Sequence, residues 1–510
     1  MSEGGVAGVY ADAARRLRDI NALEGIQGLL GWDEMVMLPA GSSGSRGDQK
    51  TVLAGVVFDK KTDPKLGEAL EKLREPAAQN ELNPVERAVV RDASKSFKRI
   101  SSLPKALAQR EAALETEAYN SWVEARTASD FSKFEPSLRE WVELSKQKAK
   151  YIDSSAVPYD VLLDAFEKGM SSQRLDEVFT QLREGLVPLI AEIKQRGTAP
   201  DASWLNGKYD LDQQAKLCHQ VALDLGFDLQ KGRLDKSVHP FTGGAHPTDV
   251  RMTTRFKEDD LTEGLTGAVH ETGHALYEQG RNLADEWKDL PVNVALSMGV
   301  HESQSLLWER MVALGRPFQH YLLPKIREFF PTFSDKATPE SLYQAQNVLR
   351  DPSLIRVEAD ELTYSLHVVL RYEIEKGLID GTIDAASVPQ IWNDKMQSYL
   401  GVLPPNDAKG ALQDVHWSGG AIGYFPTYTL GAIAAAQIFA TAQERLPGLD
   451  EQLAKGEFAP LREWLRKNVH ERGSFCASAD ELMLEVTGKP LDAAIYVDYL
   501  TKKFRELYKL

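Results

Sequence analysis

The amino-acid sequence predicts a mostly helical protein with a very small sheet. Apolar residues recur at helical spacing along most of the 510 residues. Short β-branched runs are confined to 233–239 and 250–256, the second centred on Thr253 and Thr254. No Pro/Gly/Ser linker, internal repeat or low-complexity stretch divides the chain. One continuous catalytic unit over residues 1–510, with two lobes around a cleft, is therefore expected in place of the about three domains that length alone suggests.

Taken in order, the first part of the chain is rich in Lys, Arg and Glu and reads as packed scaffold helices, a lid over a groove. Asn83, Pro84 and Glu86 form a helix start: a capping side chain, Pro at the first helical position and Glu at the third. Leu107, Leu114, Ala118, Trp122 and Ala125 make one stripe along a helix over 105–128. Helices follow over 176–196 and 212–225, then the two short strands. The helix over 260–279 opens beside Glu258, Asp259 and Asp260, whose charge suits an N-terminus, and stops at Gly280. Leu261, Leu265, Ala268, Val269, Thr272 and Leu276 recur on its inward face. Gly264, Gly267 and Gly273 lower its propensity and leave room for another backbone or a substrate. A helix over 292–314 ends at Gly315 and Pro317; others are expected over 339–350, 359–376 and 492–507.

Composition limits the function classes. A chain that is 43% hydrophobic and 26% charged can bury a large core. A net charge of −15 disfavours nucleic acid and anionic membranes as partners. Cys218 and Cys476 cannot form a disulfide framework and suit a reducing compartment. The N-terminus has no apolar signal core, and the small-apolar stretch 430–442 is too short to span a bilayer. A cytoplasmic protein without a membrane anchor is expected.

The chemistry is concentrated at VHETGHALYEQG. His270, Glu271 and His274 form an H-E-x-x-H, which on a helix puts both imidazoles on one face within reach of one metal ion. Glu271 is aimed at the open coordination position, where it can take a proton from water. A catalytic site needs a third protein ligand. The extended spacing with a third His is absent, because position 277 is Tyr and position 280 is Gly. A carboxylate from the next helix remains: Glu302 or Glu309, which share a face two turns apart. Glu302 is favoured because His301, Ser303 and Gln304 surround it with groups able to orient a ligand. Glu309, between Trp308 and Arg310, reads as an ion-paired helix residue. These ligand types admit zinc, cobalt or manganese.

Two further places bear on catalysis. His239, beside Pro240, is either a loop His or a group for a substrate carbonyl. The glycine-rich segment 410–431 carries His416, Trp417, Tyr424 and Tyr428, either as a buried aromatic turn or as oxyanion donors. Holding a peptide's terminal carboxylate calls for a fork-shaped Arg. The candidates are Arg251, Arg255 and Arg356, and Arg356 has Glu358, Asp360 and Glu361 as structural partners close by.

Together these pieces resemble the carboxypeptidase Taq family of metallocarboxypeptidases. The matching stretches are HPF at 239–241, DVRMT at 249–253, HETGH at 270–274, HESQ at 301–304, IRVEAD at 355–360 and GALQDVHW at 410–417, with GWDEMVMLPAGSSGSRGDQ at 31–49 similar as well. The resemblance implies a mostly α fold of two lobes with a deep groove and a very small sheet. It implies a metal-dependent carboxypeptidase of broad specificity that releases single C-terminal amino acids from peptides with a free C-terminus. His270, His274 and Glu302 would hold one zinc or cobalt ion per chain, with Glu271 as base. Arg356 would lie near the terminal carboxylate, with His239, His416 and Tyr424 (or Tyr428) around the oxyanion. Homodimers are common in the family. The rival reading is a metallo-oligopeptidase or endopeptidase with the same metal chemistry.

Overall fold

The computed structural model describes residues 5–510. It is 69% helical, and the sheet it contains has three strands. Labelled in chain order, the elements that frame the site are α1 (Val6–Val36), α2 (Pro84–Ser101), α3 (Lys105–Ala128), β1 (Gly232–Lys236), β2 (Thr242–His246), β3 (Asp249–Thr254), α4 (Leu261–Gln279), α5 (Met298–Leu306), α6 (Glu361–Asp380) and α7 (Pro426–Arg445).

Local chemistry explains most boundaries. Asn83 and Glu86 close a reciprocal capping box at the start of α2. The predicted stripe of α3 is its buried face. The expected helices at 212–225, 359–376 and 492–507 occur as Leu211–Leu225, α6 and Ala493–Leu507, and the Asp preceding each accepts backbone N–H groups of the first turn. The expected 176–196 helix starts earlier, at Ser172, behind Ser171 as cap. The one expected over 339–350 ends at Gln346, where the Asn347 amide turns back onto the carbonyls of Tyr343 and Leu314.

The helix expected over 292–314 needs correcting. Pro291–Asn293 form a single 3-10 turn, the chain then runs extended, and Ser297 caps α5 by accepting from Val300 N–H. From Leu307 to Ala313 the helix widens to the π form. Val292 instead belongs to a separate core with Ala13, Leu17, Leu70 and Val89. That second core, built from N-terminal helices, is distinct from the large one that runs through the rest of the molecule.

In the sheet β3 is central, parallel to β1 and antiparallel to β2. The two strands expected from sequence correspond to β1 and β3. β2, TGGAH, has two glycines and no β signal, so sequence patterning missed it. β2 is held against α1: a Cβ on Gly25 or Gly28 would fall 2.5 or 2.4 Å from the carbonyl oxygens of Ala245 and Gly244. No helix of the described residues is long and apolar enough to cross a membrane.

Candidate active site

α4 begins where Asp260 accepts the N–H groups of Thr262 and Glu263. Its inward residues are buried as the periodicity required, which turns His270 and His274 towards α5. His274 Nε2 lies 3.2 Å from Glu302 Oε2, and His270 Nε2 lies 3.6 Å from the same oxygen. One ligand atom from each of the three residues falls within 4.8 Å of the other two. Glycines make this approach possible. A Cβ on Gly273 would meet the Gln304 carbonyl oxygen at 2.5 Å, and one on Gly431 of α7 would meet Glu302 Cβ at 2.8 Å. Gly280 also ends α4 by proximity, in a right-handed conformation, because a Cβ there would strike His470.

The electrostatics suit a cation. Burial pulls the His270 imidazole down, but Glu302, then Glu309 and Glu271, lift it to about 10. Burial raises the Glu302 carboxyl, but His270, His274 and Ser305 hold it at about 2. His274 is lowered by burial and by His301. His270 Nδ1 is 2.7 Å from Glu309 Oε2, so Glu309 holds the Nδ1 proton and Nε2 is the nitrogen that would bind a cation once its own proton is displaced. The two imidazoles and the Glu302 carboxylate form a donor set that fits a divalent metal.

The supporting residues differ in part from expectation. Glu309 orients His270 in place of a remote ion pair, because the π turn brings its carboxylate to the ring. The hydroxyl that reaches Glu302 Oε2 is Ser305, at 3.0 Å. Ser303 donates to the Val300 carbonyl, Gln304 bonds His470, and His301 bonds Glu278 at 2.9 Å while stacking on His274 at 4.5 Å. Glu271 is 6% exposed, and Thr242 Oγ1 from β2 lies 2.7 Å from its Oε2. Sequence reasoning had no signal for Thr242, since the strand that carries it was itself illegible.

A second wall holds aromatic rings and arginines. His416 Nε2 is 3.3 Å from the Tyr428 hydroxyl, and burial pushes its imidazole down to about 4, so it is neutral at ordinary pH. Tyr424 packs edge-on against Phe166 at 5.2 Å and Tyr428 at 5.4 Å. Arg356 is 4% exposed. Its expected partners Glu358, Asp360 and Glu361 do not hold it: Nε and Nη2 donate to Asp414 Oδ1 at 3.0 and 2.8 Å, and Nη1 donates to the Tyr364 hydroxyl at 3.0 Å. Arg371 takes the other oxygen of Asp414 at 2.5 Å. Beneath them Glu375 accepts from Trp417, Tyr159 and the Gly423 N–H, which fixes the loop bearing His416 and Tyr424. Burial raises the Glu375 carboxyl to about 7.

Of the other named candidates, Arg251 and Arg255 are engaged in ion pairs and His239 is exposed. His239 is exposed on the loop after β1, where its carbonyl accepts from Ser237. Arg251 pairs with Asp249 and lies over the Trp32 ring at 4.3 Å, with Arg233 also over that ring. Arg255 pairs with Glu263. Both thiols are buried, and burial pushes Cys218 up to about 12 and Cys476 to about 11, so both are inert.

With this geometry in hand, comparison with known proteins is informative. The model of the carboxypeptidase Taq (M32) metallopeptidase family matches residues 12–504. Thermostable carboxypeptidase 1 of Thermus thermophilus is 39% identical, over 98% of this chain and 99% of its own. Carboxypeptidase 1 of Bacillus subtilis is 36% identical, over 94% of this chain and 95% of its own. The crystal structure of the M32 carboxypeptidase from Deinococcus radiodurans superposes with a TM-score of 0.94 at 35% identity, covering 98% of this chain and 100% of that one.

Proposed function

Because this chain belongs to the carboxypeptidase Taq (M32) family of metallopeptidases, and is thus a metallocarboxypeptidase, we propose that it removes single amino acids from the C-termini of peptides with Glu271 as general base. The observation that carries this reading is the convergence of His270, His274 and Glu302 beside Glu271. Those three residues would hold one zinc ion per chain, with cobalt or manganese able to replace it. A divalent cation held there would supply polarisation of the scissile carbonyl and acidification of water.

The chain's own groups do the rest. Glu271 Oε1 takes the proton of the attacking water while Oε2 stays on Thr242. Glu271 then returns the proton to the departing amine. The carbonyl oxygen, as it gains charge, is met by His416 and Tyr424, with His239 contacting the peptide from the opposite loop. Neutral His416 can donate to it without being a competing charge. Arg356 stands beside the terminal carboxylate and, with Arg371, leaves one positive charge in excess over Asp414. Residues 1–510 act as one catalytic unit, in the cytoplasm, as a homodimer.

Product analysis by mass tests this reading. An unblocked peptide incubated with the metal-loaded protein should shorten one residue at a time from its C-terminus, and a C-terminally amidated peptide should resist. Internal cleavage, or equal cleavage of the amidated peptide, would establish an endopeptidase instead.

A further inference from the structure

Glu167 is a buried acid with no cation at salt-bridge distance among the described residues. It is 1% exposed, and burial raises its carboxyl to about 7 against the Ser297 hydroxyl and the Gly299 N–H, the groups that lower it. Its Oε1 accepts from the Gly299 N–H at 2.5 Å, across 132 residues of sequence, and a Cβ on Gly299 would fall 2.8 Å from that oxygen. One residue earlier, the Phe166 carbonyl accepts from the Met298 N–H at 2.9 Å. A remote turn thus satisfies two of the orphan N–H groups that open α5, while Ser297 provides for Val300.

The same turn reaches the opposite wall of the site. The Phe166 ring stands edge-on to Tyr424, and a Cβ on Gly423 would fall 3.0 Å from the Leu163 backbone nitrogen, so the loop bearing Tyr424 rests on this turn. Its outer side is fastened to α2: Asp164 pairs with Lys95 at 2.6 Å and Arg99 at 3.0 Å, and Lys168 pairs with Asp92 at 2.9 Å. Burying an acid without a counter-charge is costly, and Ser297 is already a competent cap for α5. Glu302 follows Gly299 by three residues on the same helix, so any shift of the first turn carries the ligand with it.

We propose that Glu167 is a positioning residue: its carboxylate fixes the first turn of α5 and so holds Glu302 in register with His270 and His274, while the same turn seats Tyr424 across the site. It touches neither the metal ligands nor the substrate and acts through the helix backbone. This rests on the metallocarboxypeptidase reading above and adds the group that sets its ligand helix in place.

The test compares Glu167→Ala, Glu167→Gln and Gly299→Ala, with Leu453→Ala, a core change on the helix Leu449–Ala454, as the control for lost stability. The readouts are the zinc dissociation constant by competition with a chelator, kcat and KM at saturating zinc, and melting of the metal-free protein. Glu167→Ala should bind zinc about 10–100-fold more weakly and lose kcat with KM unchanged. Glu167→Gln, which still accepts from the Gly299 N–H, should restore most of both. Gly299→Ala, whose methyl displaces the carboxylate, should weaken zinc in the same way. Leu453→Ala should melt lower yet bind zinc and turn over as the wild type does. Wild-type zinc affinity in Glu167→Ala overturns the proposal, as does wild-type affinity in Gly299→Ala should the first variant not fold. So does an equal loss of zinc in Leu453→Ala, since the effect would then be general destabilisation. A wild-type protein that binds zinc but releases no C-terminal residues would instead overturn the broader reading, while the zinc constants still decide this one.

Discussion

Thr242 and Glu271 are joined twice: the threonine Oγ1 lies 2.7 Å from the carboxylate Oε2 and 3.0 Å from the carbonyl oxygen of the same residue. A side chain on the least regular strand of the sheet therefore fixes the rotamer of the proposed general base and ties the strand to the α4 backbone. Thr242→Val keeps the shape and removes the hydroxyl. It should lower kcat by about ten-fold, with KM and metal content unchanged. Steady-state kinetics beside metal analysis would check this; an unaltered kcat would show that Glu271 is aimed without it.

Glu309 should matter to metal retention more than to chemistry. Its carboxylate holds the His270 ring by Nδ1. Glu309→Gln should weaken metal binding by about ten-fold and Glu309→Ala by up to about a hundred-fold, the range typical of such supporting groups. Competition with a chelator reads both constants. Activity at saturating metal should largely return in the Gln variant.

Gly273→Ala should separate α4 from α5. The added methyl would stand 2.5 Å from the Gln304 carbonyl oxygen and 2.7 Å from Ser305 Cα, both backbone atoms that cannot swing aside. The expected cost is about 1–3 kcal/mol of stability. Because Glu302 and His274 lie on the two helices being parted, metal affinity should fall as well. Thermal unfolding of the apo protein and metal titration separate the two effects.

Glu375 predicts a pH dependence of stability. Burial raises its carboxyl from the usual 4.5 to about 7. The folded state therefore binds a proton that the unfolded chain releases at lower pH, and the associated stability, full below pH 4.5, is lost as pH rises through 7. Glu375→Gln has no such proton. Its melting temperature should gain on that of the wild type between pH 5 and pH 8. A constant difference across that range would refute the buried, shifted carboxyl.

The sequence makes the candidate metal centre legible because its information is local. Two His one turn apart specify a shared face wherever the helix sits, and helix α4 is announced by its cap and apolar stripe. Glu302 could be preferred to Glu309 for its polar surroundings, although the residues credited turned out to serve other partners. What stayed hidden is set by tertiary approach. The break at Ser297, the π turn at 307–313 and the strand TGGAH arise from packing that period and propensity do not encode. Arg356 shows the same limit: its true partner, Asp414, is remote in sequence, while three nearer acids drew the ion-pair reading. The glycines at 273 and 280 were better guides, since each marks a close neighbour.

The contact of Gly25 and Gly28 with the carbonyls of β2 has a practical consequence for anyone trimming or re-engineering this protein. The first helix braces the same five-residue ribbon whose opening threonine steadies Glu271. Shaving the molecule from its amino end, or bulking up those two glycines, should therefore silence turnover while the main core still melts normally.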